Sequence, residues 1–185
     1  MSQQYSSFIQ EIWSNFSGLA DTKLTDLSDH NILWKLSEYI DAGYVNFIEG
    51  RKELYRLSIL LENYAVKYNA PLVATFETDE RYKYVKDHYT EILEKIPKAW
   101  IIGNFNNPHL APQPPKTTDV VSCDGTNISD MWIVLTRGPK GPFGLVAENM
   151  GDGKYKGFFS YSPAVISKVI ENINQKLKIK INLKN

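Results

Sequence analysis

The stretch 130–161 constrains this chain more than any other. Three apolar segments, DMWIVLTRG (130–138), GPFGLVAEN (141–149) and KYKGFFSY (154–161), are joined there by Gly-Pro-Lys-Gly and Met-Gly-Asp-Gly. Valine, isoleucine and aromatic side chains suit a pleated surface, and glycine-rich joints accept hairpin turns. The segments therefore read as consecutive antiparallel strands. Such a meander must bury its apolar faces against other elements of the chain.

Those elements are visible on both sides. APLVATFE (70–77) is a compact apolar run and reads as a buried strand. The spacing of Tyr82, Val85, Tyr89, Ile92, Leu93 and Ile96 predicts a helix over about 80–95, capped by Thr78 or Asp79 and closed by Pro97. Trp100-Ile101-Ile102 follows as a second strand, completing a βαβ unit with a right-handed crossover. TDVVSC adds a short strand. Downstream, Ser162 and Pro163 open a helix whose stripe is Val165, Ile166, Val169, Ile170, Ile173 and Leu177.

Upstream, Leu54, Leu57, Leu61, Ala65 and Tyr68 predict a helix over about 49–68. Asp29 is expected to cap another helix carrying Ile32, Leu33, Leu36, Tyr39 and Ile40, ended by Gly43. Ile9, Ile12, Trp13 and Phe16 fall at helical spacing. The tail QKLKIKINLKN alternates lysine with leucine or isoleucine, a period suited to an exposed edge strand. The expected architecture is one α/β domain with a mixed sheet: a βαβ start, an antiparallel meander and a C-terminal helix. Residues 1–48 are expected as an N-terminal helical extension and 49–185 as the α/β domain.

Composition narrows the function classes. Lysine plus arginine equals aspartate plus glutamate, at 21 each, so no global charge draws the chain to nucleic acid or an anionic membrane. One cysteine, Cys123, excludes an internal disulfide framework and points to a reducing compartment. The opening residues lack the basic-then-apolar pattern of a secretory signal, and no apolar run approaches the roughly 18–20 residues of a membrane span. A cytoplasmic protein with no transmembrane segment is the expectation.

No GxxxxGK[ST], GxGxxG or GxSxG motif is present, and the glycines at 138, 141, 144, 151, 153 and 157 fall in or between strands. His30, His88 and His109 have no metal-ligand spacing, although His109 in the proline-rich segment could act as a base. Cys123 has only Asp124 beside it, which would raise a thiol pKa, so it reads as a bystander. No cofactor emerges from these residues.

The positive signal is positional. Ligands of open α/β sheets bind beyond the carboxyl ends of parallel strands. That rule brings Phe76-Glu77 together with Gly103-Asn104-Phe105-Asn106, making the asparagine-rich stretch a candidate pocket lip. The candidate ligand-binding residues are Phe76, Glu77, Arg81, Asn104, Asn106, Trp132 and Glu148. The structural alternative is that Glu77 and Asp79 cap a helix while the asparagines form turns. Tyr82, Tyr84, Tyr89, Trp132, Phe158, Phe159 and Tyr161 could line a cavity for a flat molecule, or be core or dimer contacts.

An ordered series of segments carries a resemblance. LYRLSILLENYA leads to LVATFETDERY, then HYTEIL, WIIGNFNN, MWIVLTRGPKGPFGLVAENM and YKGFFSYSPAVISKVIENI. From about Glu53 to Leu177 the chain resembles the DICT sensory domain, named for diguanylate cyclases and two-component systems. The resemblance implies a small α/β module of prokaryotic signalling proteins, binding a ligand or a partner protein without catalysis. Such modules are usually fused to output or photoreceptor domains. With none in this sequence, a stand-alone sensor is expected, acting through a signalling protein partner or a homodimer.

Three functions follow as expectations. The first is a non-enzymatic sensor that binds a small molecule or partner near the strand ends. The second is a structural dimerisation adaptor without a ligand. The third is a small enzyme using Glu77 and Glu148 as a carboxylate pair, aided by Asn104.

Overall fold

A computed structural model describes residues 7–29, 34–104 and 115–184. In chain order its elements are α1 (Phe8–Trp13), α2 (Leu36–Ala42), β1 (Tyr44–Gly50), α3 (Arg51–Lys67), β2 (Leu72–Thr78) and α4 (Asp79–Leu93). They continue with β3 (Ala99–Asn104), β4 (Thr118–Ser122), β5 (Met131–Gly138), β6 (Gly141–Asn149), β7 (Lys154–Ser160) and α5 (Pro163–Leu177). The strands form one seven-stranded sheet in the order β1-β7-β6-β5-β2-β3-β4. The α/β class, the mixed sheet, its meander and its closing helix are those expected.

Two halves meet at the centre of this sheet. β2, β3 and β4 run parallel, whereas β5, β6 and β7 form the antiparallel meander, and β2 joins it by pairing antiparallel with β5 through Val73 and Ala74. Strand alternation sends side chains to two separate cores. On one face Leu72, Ala74, Ala99, Leu145, Ala147 and Phe159 pack against α2, α3 and α4. On the other Val73, Ile102, Ile133, Leu135, Val146 and Phe158 pack against α1 and α5. The result is three layers, helices over both faces of one sheet.

The amino-terminal third departs from the expectation. Residues 44–50, assigned to the helical extension and to the start of the next helix, form β1, which pairs antiparallel with β7 from Tyr44↔Ser160 to Gly50↔Lys154. The boundary at residue 48 therefore falls inside a strand. α1 is helical as expected, yet Phe8, Ile9, Ile12 and Trp13 are buried in the core beneath the sheet. Asp29 does not cap α2, which begins at Leu36, where Glu38 accepts the Lys35 amide at 3.4 Å. Ile32 and Leu33 lie outside the described residues. Gly43 ends the helix in a left-handed conformation, φ +77°.

The tail departs too. Residues 179–184 are extended but join no strand. Ile181 and Leu183 turn into the core of the α5 face while Lys180 and Lys184 face solvent, so the period-two pattern is real. One side chain fastens it: Asn174 on α5 donates to the Ile181 carbonyl at 3.0 Å and accepts the Ile181 amide at 2.8 Å.

Candidate functional site

The site begins with an irregularity in β2. Phe76 pairs with Gly103 and Thr78 with Asn104, so Glu77 is an extra residue in the ladder. Strict alternation would point Glu77 to the α5 face. The bulge instead leaves Phe76 and Glu77 on the same side, under α3 and α4. Glu77 there accepts two hydrogen bonds, from the Tyr155 hydroxyl at 2.6 Å and from Asn149 Nδ2 at 2.9 Å, and pairs with the Arg81 guanidinium at 3.4 Å. The Arg81 guanidinium lies 5.6 Å from the ring centres of both Trp132 and Tyr155, within cation–π range.

A second carboxylate, this one fully buried, stands on α3. Glu62 is 2% exposed. It accepts a hydrogen bond from the Tyr89 hydroxyl and lies 3.1 Å from His88 Nε2. This hydrogen bond to Glu62 holds the His88 pKa above its ordinary value, against the lowering by burial. Burial, reinforced by Glu62, pushes the Tyr89 hydroxyl well above the tyrosine range. Burial and then Glu77 raise Tyr155 as well. Both phenols are thus fixed as neutral donors to their carboxylates. One turn earlier on α3, Ser58 accepts the Trp132 indole N–H at 2.9 Å and donates to the Leu54 carbonyl at 2.8 Å.

These groups surround a cavity of about 680 Å³ between α3 and α4, over the end of β2 and the start of β5. That volume is in the range of small-molecule sites. Phe76, Glu77, Thr75, Met131, Trp132 and Val134 line it from the sheet, and Ser58, Glu62, Val85 and Tyr89 from the helices. Arg51, Lys52, Tyr55 and Tyr84 also line it; all four are exposed and form its mouth.

Four of the seven candidate residues, Phe76, Glu77, Arg81 and Trp132, come together here. Asn104 closes β3 opposite Thr78 and does not line the cavity. Asn106, like His109 and Pro112, lies outside the described residues. Glu148 is on the opposite face, where it accepts the Ser7 hydroxyl at 2.7 Å. Glu77 and Glu148 therefore share no cleft, because the bulge turned one carboxylate and ordinary alternation kept the other on its own side.

Sequence reading passed over Ser58, Glu62, Asn149 and Tyr155. A signal for two of them exists: Ser58 and Glu62 sit four and eight residues after Leu54, inside the buried stripe of α3. Polar groups at core positions of an amphipathic helix need partners there. Cys123 is buried, and burial raises its thiol pKa, an inert setting. Among the described residues no cluster of three metal-ligating side chains occurs, and no helix is long and apolar enough to cross a membrane.

The chain was compared with protein-family models, curated proteins and solved structures. It matches none of them. The functional reading rests on the cavity.

Proposed function

We propose that the chain is a non-enzymatic sensory module that binds a small molecule in the cavity between α3 and α4. In this reading it is a relative of the DICT sensory domains. It works in the cytoplasm and passes the state of the cavity to a signalling partner, or to a second copy of itself, through the helical layer that carries the mouth. The observation that carries the reading is the cavity at the carboxyl end of β2, walled by Phe76, Tyr89 and Trp132 and braced by Glu77 and Arg81. Further support for a preformed binding site comes from how its polar groups are engaged. Glu62 and Glu77 each accept two or more hydrogen bonds, and the Ser58 hydroxyl is held by the Leu54 carbonyl and the Trp132 indole. Groups so engaged orient one another and fix the shape of the wall that a ligand meets.

Native mass spectrometry of freshly purified protein tests this reading. The expected result is a mass excess over the bare chain that vanishes on denaturation. A Val85→Trp variant, which fills the cavity from α4, loses that excess while keeping its folded circular-dichroism spectrum. A bare mass for the wild type, or an excess indifferent to Val85→Trp, defeats the reading.

A further inference from the structure

The charges of the cavity divide into those already paired and those that are not. Glu77 is held by Arg81, Tyr155 and Asn149, and Glu62 by His88 and Tyr89. The Ser58 proton is committed to the Leu54 carbonyl, and the Thr75 hydroxyl donates to the Met131 carbonyl and accepts the Ile133 amide, both at 2.8 Å. The interior thus offers a ligand mainly ring faces and aliphatic surface. Among the described side chains, three lining cations, Arg51, Lys52 and Arg81, stand against two lining carboxylates, Glu62 and Glu77. Arg81 is committed to Glu77. The excess resides at the mouth, where Arg51 and Lys52 are exposed and, among the described residues, have no carboxylate partner. Gly50 precedes them as the N-cap of α3, whose first-turn amide dipoles add charge of the same sign, while the acid of that turn, Glu53, is paired with Arg56 at 3.5 Å.

From this division we infer that the cavity takes a planar aromatic anion. Its ring sits among Phe76, Tyr89 and Trp132, and its negative group meets Arg51 and Lys52 at the mouth. The inference rests on the reading of the cavity as a binding site and adds the chemistry of its occupant. Ring faces favour a flat π-system over an alkyl chain, since offset and edge-to-face contacts add to the burial of area. The neighbouring rings already meet this way: Phe76 packs edge-on against Tyr89 at 5.1 Å and Trp132 against Tyr155 at 5.4 Å. A carboxylate or phosphate at the rim keeps part of its hydration while gaining two cations, and so avoids the cost of burying a charge. A cationic ligand would meet Arg51 and Lys52 at the mouth and find both buried carboxylates occupied.

The test is calorimetric titration of the full chain with 2-naphthoate, its neutral isostere 2-naphthamide, the cation 2-naphthylmethylammonium and the aliphatic anion octanoate. The expected order places 2-naphthoate at least about tenfold tighter than each of the others. Arg51→Gln with Lys52→Gln should weaken 2-naphthoate by at least about tenfold and leave 2-naphthamide unchanged. Both positions are exposed, so the double variant keeps its fold. Equal affinity for naphthoate and naphthamide, tightest binding by the ammonium, or indifference to the double variant overturns the anion. Octanoate matching naphthoate overturns the aromatic ring. In each of those cases Val85→Trp still abolishes binding, and the cavity stands as a binding site. If no probe binds in a Val85-sensitive way, the site itself falls with the inference.

Discussion

At the scale of single residues, Glu77 is the hub of the cavity wall. Removing its carboxylate strips the acceptor from Tyr155 and Asn149 and the counter-ion from Arg81, whose side chain is 20% exposed. Hydrogen bonds to a charged group are worth about 1.5–3 kcal/mol each when one partner is lost, and the exposed part of the Arg81 pair contributes little. Glu77→Ala should therefore lower stability by about 3–6 kcal/mol in urea unfolding. Glu77→Gln, which keeps one acceptor oxygen, should lose less. His88 makes a pH-dependent contribution. Its folded pKa lies above the ordinary histidine value because Glu62 favours the charged ring. The stabilisation is thus complete below about pH 6.5 and fades as pH rises through the raised folded value. Thermal melts across this range should show wild type exceeding His88→Gln most at low pH and converging with it in alkali. A gap independent of pH would mean that packing alone fixes His88.

At the scale of elements, glycine acts inside strands as well as in turns. Gly144 lies mid-strand in β6 between Leu135 and Ser160, with φ +154°. A Cβ there would stand 2.2 Å from the Val134 carbonyl oxygen, a clash that only backbone movement can relieve. Gly151, in the β6–β7 turn, also has positive φ but nothing within 4 Å of an added Cβ. Gly144→Ala should cost at least about 3 kcal/mol, against about 1–2 kcal/mol for Gly151→Ala, which carries the conformational penalty alone. Paired denaturation curves read the difference, and equal losses would show that β6 can shift to make room. The bulge at Glu77 belongs to this scale as well. One extra residue in a seven-residue strand decides which face of the sheet receives a carboxylate.

At the scale of the whole molecule, the amino-terminal segment belongs to the domain. Ile12 is 0% exposed, Trp13 donates to the Tyr44 hydroxyl at 2.8 Å, and Lys176 of α5 reaches Glu11 at 3.1 Å. Burial pushes the Tyr44 pKa up to about 12, so this phenol stays neutral. Ile12→Ala should destabilise the domain by about 2–5 kcal/mol, the usual cost of emptying a core position. An independent extension would lose nothing in the same unfolding experiment. Because α1 seals the sheet face opposite the cavity, its loss should loosen both cores in one cooperative transition.

How much of this was legible depended on the range of the interaction involved. The meander at 131–160, the βαβ unit and the stripe of α5 were readable because period, turn chemistry and capping act within a few residues. Phe76 and Glu77 were readable as cavity residues from the rule that ligands gather at strand ends, and Trp132 from its place among the aromatic side chains. β1 was not. YVNFIEG between two glycines is locally ambiguous, and only pairing with β7 far along the chain makes it a strand. Glu77 and Glu148 were wrongly expected to share a cleft because facing depends on register: Glu148 follows ordinary alternation, whereas the one-residue bulge in β2 turned Glu77 to the other face. Ser58 and Glu62 stood in plain view within an apolar stripe, yet their meaning came from Trp132, Tyr89 and His88, which only folding brings near. Local sequence thus determined the elements and their class. The tertiary structure alone decided which carboxylates face the cavity and which cations at its mouth are left unpaired, because charge pairing and facing depend on contacts between residues distant in the chain.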